Sequence, residues 1–374
     1  MTARPRWEHC IANYGDEAIA FANTYFAEPQ RRCLFVGGAG FDPRCVTFAS
    51  ILTTHLGDRL QAIFLRERRP EPSAELVSRA EKNIEALGKT VGTVKVIAID
   101  VLAEEDGAVI GGRRATEALI GVPLDSFTDI VLDLSALSVG ISFPVARLLL
   151  ERANQATPKK NFHLVVVSNA GLDDAINSVP SDFVDPVHGF SGRLDLEGSA
   201  QEPKIWMPAL AVGKARALQT LREKLRGPVV VCPILPLSQR DPRASDKLVA
   251  EFESELYQSW EVDSDNVIYA IEDDPLDLYL IISAIYTRYT RVFANVTNSH
   301  VVLTPSGSKT LAIGALMAAV EHDLAVRYVE AVSYEVKWDR VDGAQSAAST
   351  PIHVWLSGDA YEAASAPVPP GHSP

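Results

Sequence analysis

The sequence predicts an α/β protein built from two Rossmann-like, doubly wound units with mainly parallel sheets. Three observations point there. Short apolar runs alternate with longer segments of helical spacing through both halves of the chain. Polar turns rich in Gly, Pro, Ser and Asp follow several of those runs. Residues 301–327, VVLTPSGSKTLAIGALMAAVEHDLAVR, set out the whole unit: strand, polar turn, small-residue helix, strand. In such sheets ligands bind beyond the carboxyl ends of the strands, where the next helix offers unpaired N–H groups to an anion.

Composition narrows the class. A chain of 374 residues is comfortable for two domains, and 47% hydrophobic with 22% charged residues is the balance of a packed globular protein. No apolar run approaches the roughly 18 residues of a membrane span. MTARPRWEHC has no apolar stretch before a small-residue cleavage site, so a cytoplasmic protein is expected. A formal charge of −13 argues against extended binding to a nucleic-acid backbone. The short basic clusters Arg66/Arg68/Arg69, Arg113/Arg114 and Lys159/Lys160 read as solvated edges. Cys10, Cys33, Cys45 and Cys232 have neither metal-ligand nor redox spacing.

Taken in order, residues 1–30 read as a helical lead-in that Pro29 ends. Strands follow at 33–36, 62–65, 94–99, 130–134 and 163–167, with helices at 45–56, 73–87, 115–120 and 143–153. This first Rossmann-like unit spans 1–170. Residues 171–210, rich in Asp, Pro, Gly and Ser, read as a hairpin-bearing connection whose strands are Phe190–Leu196 and Lys204–Met207. Its length also allows a lid or an interface arm. The second unit, 211–356, repeats the grammar: helices around 209–225, 244–260 and 276–293, strands at 229–235 and 267–271, then the 301–327 stretch. Ile352–Leu356 reads as a last edge strand, and the Ala/Ser/Pro-rich tail 357–374 as disordered. Asp42-Pro43-Arg44 and Asp241-Pro242-Arg243 open corresponding helices, an internal echo that suggests tandem duplication.

Candidate ligand contacts lie in the turns. Gly38 and Gly40 would allow a phosphate close to the backbone, although Pro43 breaks the G-x-G-x-x-G spacing. Asp42, Asp241 and Asp274 each precede a proline and read as helix caps. Arg44 and Arg243 follow two of those prolines and could reach an anion or form ordinary surface ion pairs, the commoner case. Glu272, with Asp273, Asp274 and Asp277, ends a strand where a carboxylate can hold a ribose hydroxyl or a magnesium ion. Ser306, Gly307, Ser308, Lys309 and Thr310 form the most specific group, an anion-binding turn whose order, Gly-Ser-Lys-Thr, is not that of a P-loop. His163 and His353 read as core residues, His188 and His300 as turn residues, and no nucleophile elbow or metal-binding pair accompanies them.

The stretch Leu303-Thr304-Pro305-Ser306-Gly307-Ser308-Lys309-Thr310, its small-residue helix and Tyr328-Val329-Glu330-Ala331 resemble the last strand-turn-helix of CRISPR-associated Rossmann-fold (CARF) sensor domains. That family has Thr-Gly-Gly-Thr-Lys where this chain has Pro-Ser-Gly-Ser-Lys. The resemblance implies binding of a cyclic oligonucleotide between paired Rossmann-like units, commonly in a dimer, and a sensor role in antiviral defence. It would place ligand contacts at Ser306, Ser308, Lys309 and Thr310, and by analogous position at Gly38 and Gly40.

The expected function is therefore a nucleotide-binding or phosphorylated-ligand-binding sensor or accessory subunit, with a homodimer or a protein partner left open. An enzyme acting on a nucleotide or sugar phosphate is the alternative, with Glu272, Asp273 or Asp277 holding a metal and Lys309 holding phosphate. A non-catalytic scaffold docking through 171–210 is the third reading. No catalytic residue, resident metal or cofactor is assigned from the sequence.

Overall fold

The computed structural model describes residues 4–181, 184–192, 194, 202–293, 300–344 and 349–361. Strand β1 (Ile11–Tyr14) and helix α1 (Asp16–Tyr25) lead into β2 (Cys33–Gly38), α2 (Thr47–Leu56) and β3 (Leu60–Arg68). Then come α3 (Ala74–Thr90), β4 (Val94–Asp100), α4 (Gly111–Ile120), β5 (Asp129–Asp133), α5 (Val139–Gln155) and β6 (Asn161–Ser168). The connection holds α6 (Ala170–Ala175), β7 (Ile176–Pro180) and β8 (Asp185–Pro186). The second half comprises β9 (Lys204–Pro208), α7 (Ala215–Lys224), β10 (Val229–Val231), β11 (Ile234–Leu237), α8 (Ala244–Glu251) and β12 (Ile268–Ile271). It continues with α9 (Pro275–Phe293), β13 (His300–Thr304), α10 (Lys309–His322), β14 (Ala325–Tyr328), β15 (Ala331–Val336), α11 (Trp338–Ala344) and β16 (Thr350–Ser357).

The larger sheet runs β1-β16-β6-β5-β2-β3-β4, with β6 to β4 parallel and β16 and β1 antiparallel. The second runs β10-β9-β13-β14-β8, parallel except for β8. Pro233 separates β10 from β11, and an Ala209–Ile234 bridge ties the β11–β12 pair to the same layer. With β10 and β11 counted as one strand interrupted at Cys232-Pro233, both halves order their five parallel strands third, second, first, fourth, fifth. Each therefore has a topological switch point, β2/β5 in one and β9/β13 in the other.

Three sequence expectations change. Residues 11–14 of the lead-in are a strand, because β16 offers them an antiparallel edge. Lys204–Met207 is no hairpin arm but the centre of the second sheet, buried at every residue of β9 and paired with both β10 and β13. Within the other supposed arm, residues 193 and 195–196 lie outside the described residues. Phe190 lies outside any strand: its ring packs edge-on against Phe143, and its carbonyl accepts from the Val326 N–H of β14 (2.8 Å). Finally, Ile352–Leu356 is not an edge of the second unit. It belongs to β16, inside the first sheet between β6 and β1. Of the tail, residues 362–374 lie outside the described residues, while Ser357 closes β16 and Tyr361 bonds the Trp355 carbonyl.

A directed hydrogen-bond chain secures the return of β16. Asn13 Nδ2 donates to His353 Nδ1 (3.0 Å), which leaves His353 Nε2–H to donate to His163 Nδ1 (2.9 Å) and His163 Nε2–H to reach Asp129 Oδ1 (3.3 Å). Burial holds both histidines below the ordinary imidazole range, and Asp129 accepts as a carboxylate.

Helix α10 is the common core of both halves. Its residues from Thr310 to Ala319 are all buried, which suits a helix apolar all round. One continuous cluster holds Val36, Leu132 and Phe162 of the first sheet, Ile313 and Met317 of α10, and Ile205 and Leu303 of the second. Gly314 lets α9 approach: a Cβ there would lie 2.3 Å from the Pro275 carbonyl oxygen. Trp7 adds a tie, donating its backbone N–H to the Tyr279 hydroxyl and its indole N–H to the Leu356 carbonyl. Among the described residues, no helix is long and apolar enough to cross a membrane.

Candidate functional site

The carboxyl ends of the two sheets meet. In unit one, the turn after β5 (residues 134–138) is stabilised by Asp133, whose Oδ1 accepts from the backbone N–H (2.8 Å) and hydroxyl (2.5 Å) of Ser135. Gly38 packs under this turn, since a Cβ there would lie 2.5 Å from the Ala136 carbonyl oxygen. From unit two, Lys309 enters at the start of α10 and donates to the carbonyls of Leu137 (2.7 Å) and Leu134 (3.3 Å). The crevice at the β2/β5 switch point, where doubly wound sheets bind ligands, is therefore occupied by a side chain of the same protein. Burial lowers the Lys309 ammonium from its ordinary range, and the nearby Arg44 acts the same way; Asp42, Asp173 and Glu67 oppose them. Burial pushes Asp133 up to about 7, against the Ser135 hydrogen bonds and Lys309.

Arg44 is also committed. It grips Asp42 through Nε and Nη2 (2.7–3.2 Å) and reaches Asp173 with Nη1 (2.7 Å), at only 4% exposure. Despite the burial that opposes ionisation, this arginine holds Asp42 below the carboxylate range. Arg44 and Lys309, read from the sequence as ligand cations, thus tie the fold together here. Each is surrounded by protein acceptors before any ligand arrives.

The other predicted residues can be placed. Gly40 borders open space and its carbonyl accepts from Asn83. Ser308 caps α10, accepting from the Leu311 N–H, and Ser306 and Gly307 are half-buried in the turn before it. The Thr310 hydroxyl is buried without a partner among the described residues. Burial, helped by Asp273 and Asp173 and opposed by a Ser238 hydrogen bond, raises the Glu272 carboxyl. Arg243 stands apart at the start of α8, exposed, with its N–H on Asp241. Asp277 accepts from the Ile271 N–H and Asp273 from the Ser168 hydroxyl. Among the described residues, no three His, Cys, Asp or Glu side chains converge as metal ligands.

Beside the plugged crevice lies an open cleft of about 460 Å³, lined by residues 108–110, Gly112, Arg113, Gly140, 185–189, Ser191, Tyr328 and Glu330. Two helix starts face it. Helix α4 begins Gly111-Gly112-Arg113-Arg114, with no side-chain cap and no acidic residue in its first turn. Gly112 is needed where the starts cross, since a Cβ there would lie 2.5 Å from the Gly140 carbonyl oxygen and 3.2 Å from His188 Cβ. Arg114 pairs with Asp100 (2.6 Å), whereas Arg113 is exposed on the cleft wall. Helix α5 begins at Val139, where Glu67 Oε1 accepts the Ser138 N–H (2.7 Å).

Behind α5 sits a buried triad. Arg69 Nη2 lies 2.8 Å from both Glu67 Oε2 and Glu330 Oε1, its Nε donates to the Ala331 carbonyl (2.9 Å), and its guanidinium stacks on Tyr334. Burial raises the Glu330 carboxyl, which Arg69 counters and Glu67 reinforces. Glu330 is 1% exposed and its Oε2 has no hydrogen-bond partner among the described residues; the Ser138 hydroxyl nearby has none either. Sequence reasoning passed over Gly112, Arg113, Gly140, His188 and Glu330 as cleft residues. The available signal was the uncapped Gly-Gly-Arg-Arg at a helix start, set after a strand that ends at Asp100.

No family model matches the chain, and no curated protein matches it. Among solved structures it is similar to a universal stress protein from Pseudomonas aeruginosa UCBPP-PA14, at 9% identity over 86% of this chain and 98% of that one, with a TM-score of 0.23. It is similar to an α,α-trehalose-phosphate synthase (UDP-forming) from Burkholderia xenovorans in complex with glucose-6-phosphate, at 12% identity over 82% and 69%, with a TM-score of 0.25. A human methyltransferase 10 domain containing protein matches at 10% identity over 44% and 73%, with a TM-score of 0.21.

Proposed function

We propose that this protein binds a phosphorylated, nucleotide-sized ligand in the cleft between its two Rossmann-like units and responds by changing how those units are held together. The observation that carries this reading is the uncapped start of α4, with Arg113 and His188 beside it in a cleft of about 460 Å³. The Gly111 N–H is bonded to the Val101 carbonyl (3.1 Å), which leaves the Gly112 and Arg113 N–H groups, with no carboxylate in the first turn, to favour an anion. The volume falls within the roughly 300–1,000 Å³ of small-molecule sites. Lys309 and Arg69, which tie the units beside the cleft, make a sensor or accessory role the natural output. The resemblance to CARF domains adds cyclic oligonucleotides to the ligands to be tried, and defence to the contexts.

Thermal-shift measurements with inorganic pyrophosphate, mononucleotides, cyclic oligonucleotides and sugar phosphates test it, run beside Arg113→Ala. A ligand at about a hundred times its Kd adds roughly 2.7 kcal/mol to stability. The expected result is stabilisation by one phosphorylated class, lost in Arg113→Ala. Stabilisation that survives in Arg113→Ala, or none with any class, overturns the site.

A further inference from the structure

We infer that Glu330 is a specificity-determining residue of this cleft, and that its Oε2 accepts a hydrogen bond from a sugar hydroxyl of the phosphorylated ligand. The inference rests on the phosphate-binding reading above and adds to it which ligands the cleft prefers.

The two carboxylate oxygens of Glu330 have different surroundings. Oε1 accepts from Arg69 Nη2 (2.8 Å) and from the Ala331 N–H (3.2 Å), which fixes the plane of the group. Oε2 is buried and accepts from nothing among the described residues. Buried acceptors are rarely left so, because desolvation without a compensating bond is costly. The neighbour of Oε2 is Gly140, which lines the cleft: a Cβ there would stand 2.3 Å from that oxygen. Any larger residue at 140 would displace the carboxylate, so the glycine leaves Oε2 its place beside the cleft.

Position agrees with chemistry. Glu330 follows β14 at the carboxyl edge of a parallel sheet, the edge at which an acidic side chain can take ribose hydroxyls while a helix start takes phosphate. Here the helix start comes from unit one and the carboxylate from unit two, joined across Gly112 and Gly140. A ligand that satisfies both must bridge the units. A site built to bond a hydroxyl discriminates strongly against an analogue without it, because its acceptor is then left unpaired.

The Oε1 contacts make a clean test. In Glu330→Gln the amide oxygen stays with the Arg69 and Ala331 donors, so the NH₂ group takes the Oε2 position and an acceptor becomes a donor. Titration calorimetry on the full chain uses three probes: AMP, 2′,3′-dideoxy-AMP and inorganic pyrophosphate. Wild type is expected to prefer AMP over the dideoxy analogue by about tenfold or more. In Glu330→Gln a neutral NH₂ donor faces a hydroxyl that can still accept, so the charge-assisted bond is lost and the margin should shrink by about threefold or more, with pyrophosphate affinity unchanged. Equal affinity for the two nucleotides in wild type, or a margin undiminished in Glu330→Gln while Arg113→Ala abolishes pyrophosphate binding, overturns the role of Glu330 alone. If wild type binds none of the probes, or Arg113→Ala binds them all normally, the phosphate reading falls and this inference with it. Should Glu330→Gln fail to fold by circular dichroism, Gly140→Ala replaces it. Loss of the margin there supports the assignment, and its persistence overturns it.

Discussion

Replacing Gly314 by alanine should weaken the protein although alanine is the better helix former. Relative to glycine, alanine in a helix gains about 0.8–1.0 kcal/mol. At position 314, however, the new carbon would lie 2.3 Å from the Pro275 carbonyl oxygen and 3.1 Å from Leu278 Cβ. Carbon–oxygen contacts settle at roughly 3.3–3.6 Å, so α9 must retreat by roughly 1 Å along its packing on α10. Overpacking of this kind costs about 1–3 kcal/mol, and a backbone obstacle belongs at the upper end. The net loss is therefore about 2 kcal/mol. Gly88→Ala is the internal control. It lies near the end of α3 with nothing within 4 Å of its would-be Cβ, so it should gain about 0.5–1 kcal/mol. Urea unfolding followed by far-ultraviolet circular dichroism compares the two at matched m-values. If Gly314→Ala is as stable as Gly88→Ala, α10 is not clamped as described, and its role as shared core is refuted.

Two further outcomes follow from the buried charges. Arg69→Met leaves Glu67 and Glu330 buried without their cation, a loss on the order of 3–5 kcal/mol in urea unfolding; adding Glu330→Gln should restore part of it, and no recovery would refute the coupling. Asp133, raised to about 7 from an ordinary 3.8, binds more protons folded than unfolded between those values, so its contribution falls as pH rises from about 4 to about 7. The lowered His163 and His353 work oppositely, withdrawing stability as pH drops below about 6.5. Asp133→Asn should therefore gain on wild type as pH rises through that window and leave the histidine limb intact. A difference between the two proteins that does not change with pH would refute the assignment.

Much of the fold was legible because parallel strands buried on both faces are short aliphatic runs, as at Leu164–Val167 and Val301–Leu303. Pairing was less legible. Nothing local in Lys204–Met207 says that it lies between β10 and β13, and nothing in Ile352–Leu356 says that its partner is β6. For the site, the turns were correctly seen to lie at sheet ends, but the direction of a side chain is a tertiary fact. Lys309 turns into the first unit's crevice because Leu134 and Leu137 present carbonyls there. Arg113 read as a solvated edge because the cleft it lines is completed by residues as distant in sequence as His188 and Glu330.

The return of β16 to the first sheet has a consequence for synthesis. His163 of β6 must wait for His353, 190 residues later in the chain, before its hydrogen-bond chain can close. At roughly 5–20 residues per second, that interval is about 10–40 s. Throughout it β6 is a bare, apolar edge of the kind that recruits other chains. The ribosome therefore delivers the second half while the first sheet is still unfinished, and β6 stays an open edge until β16 arrives.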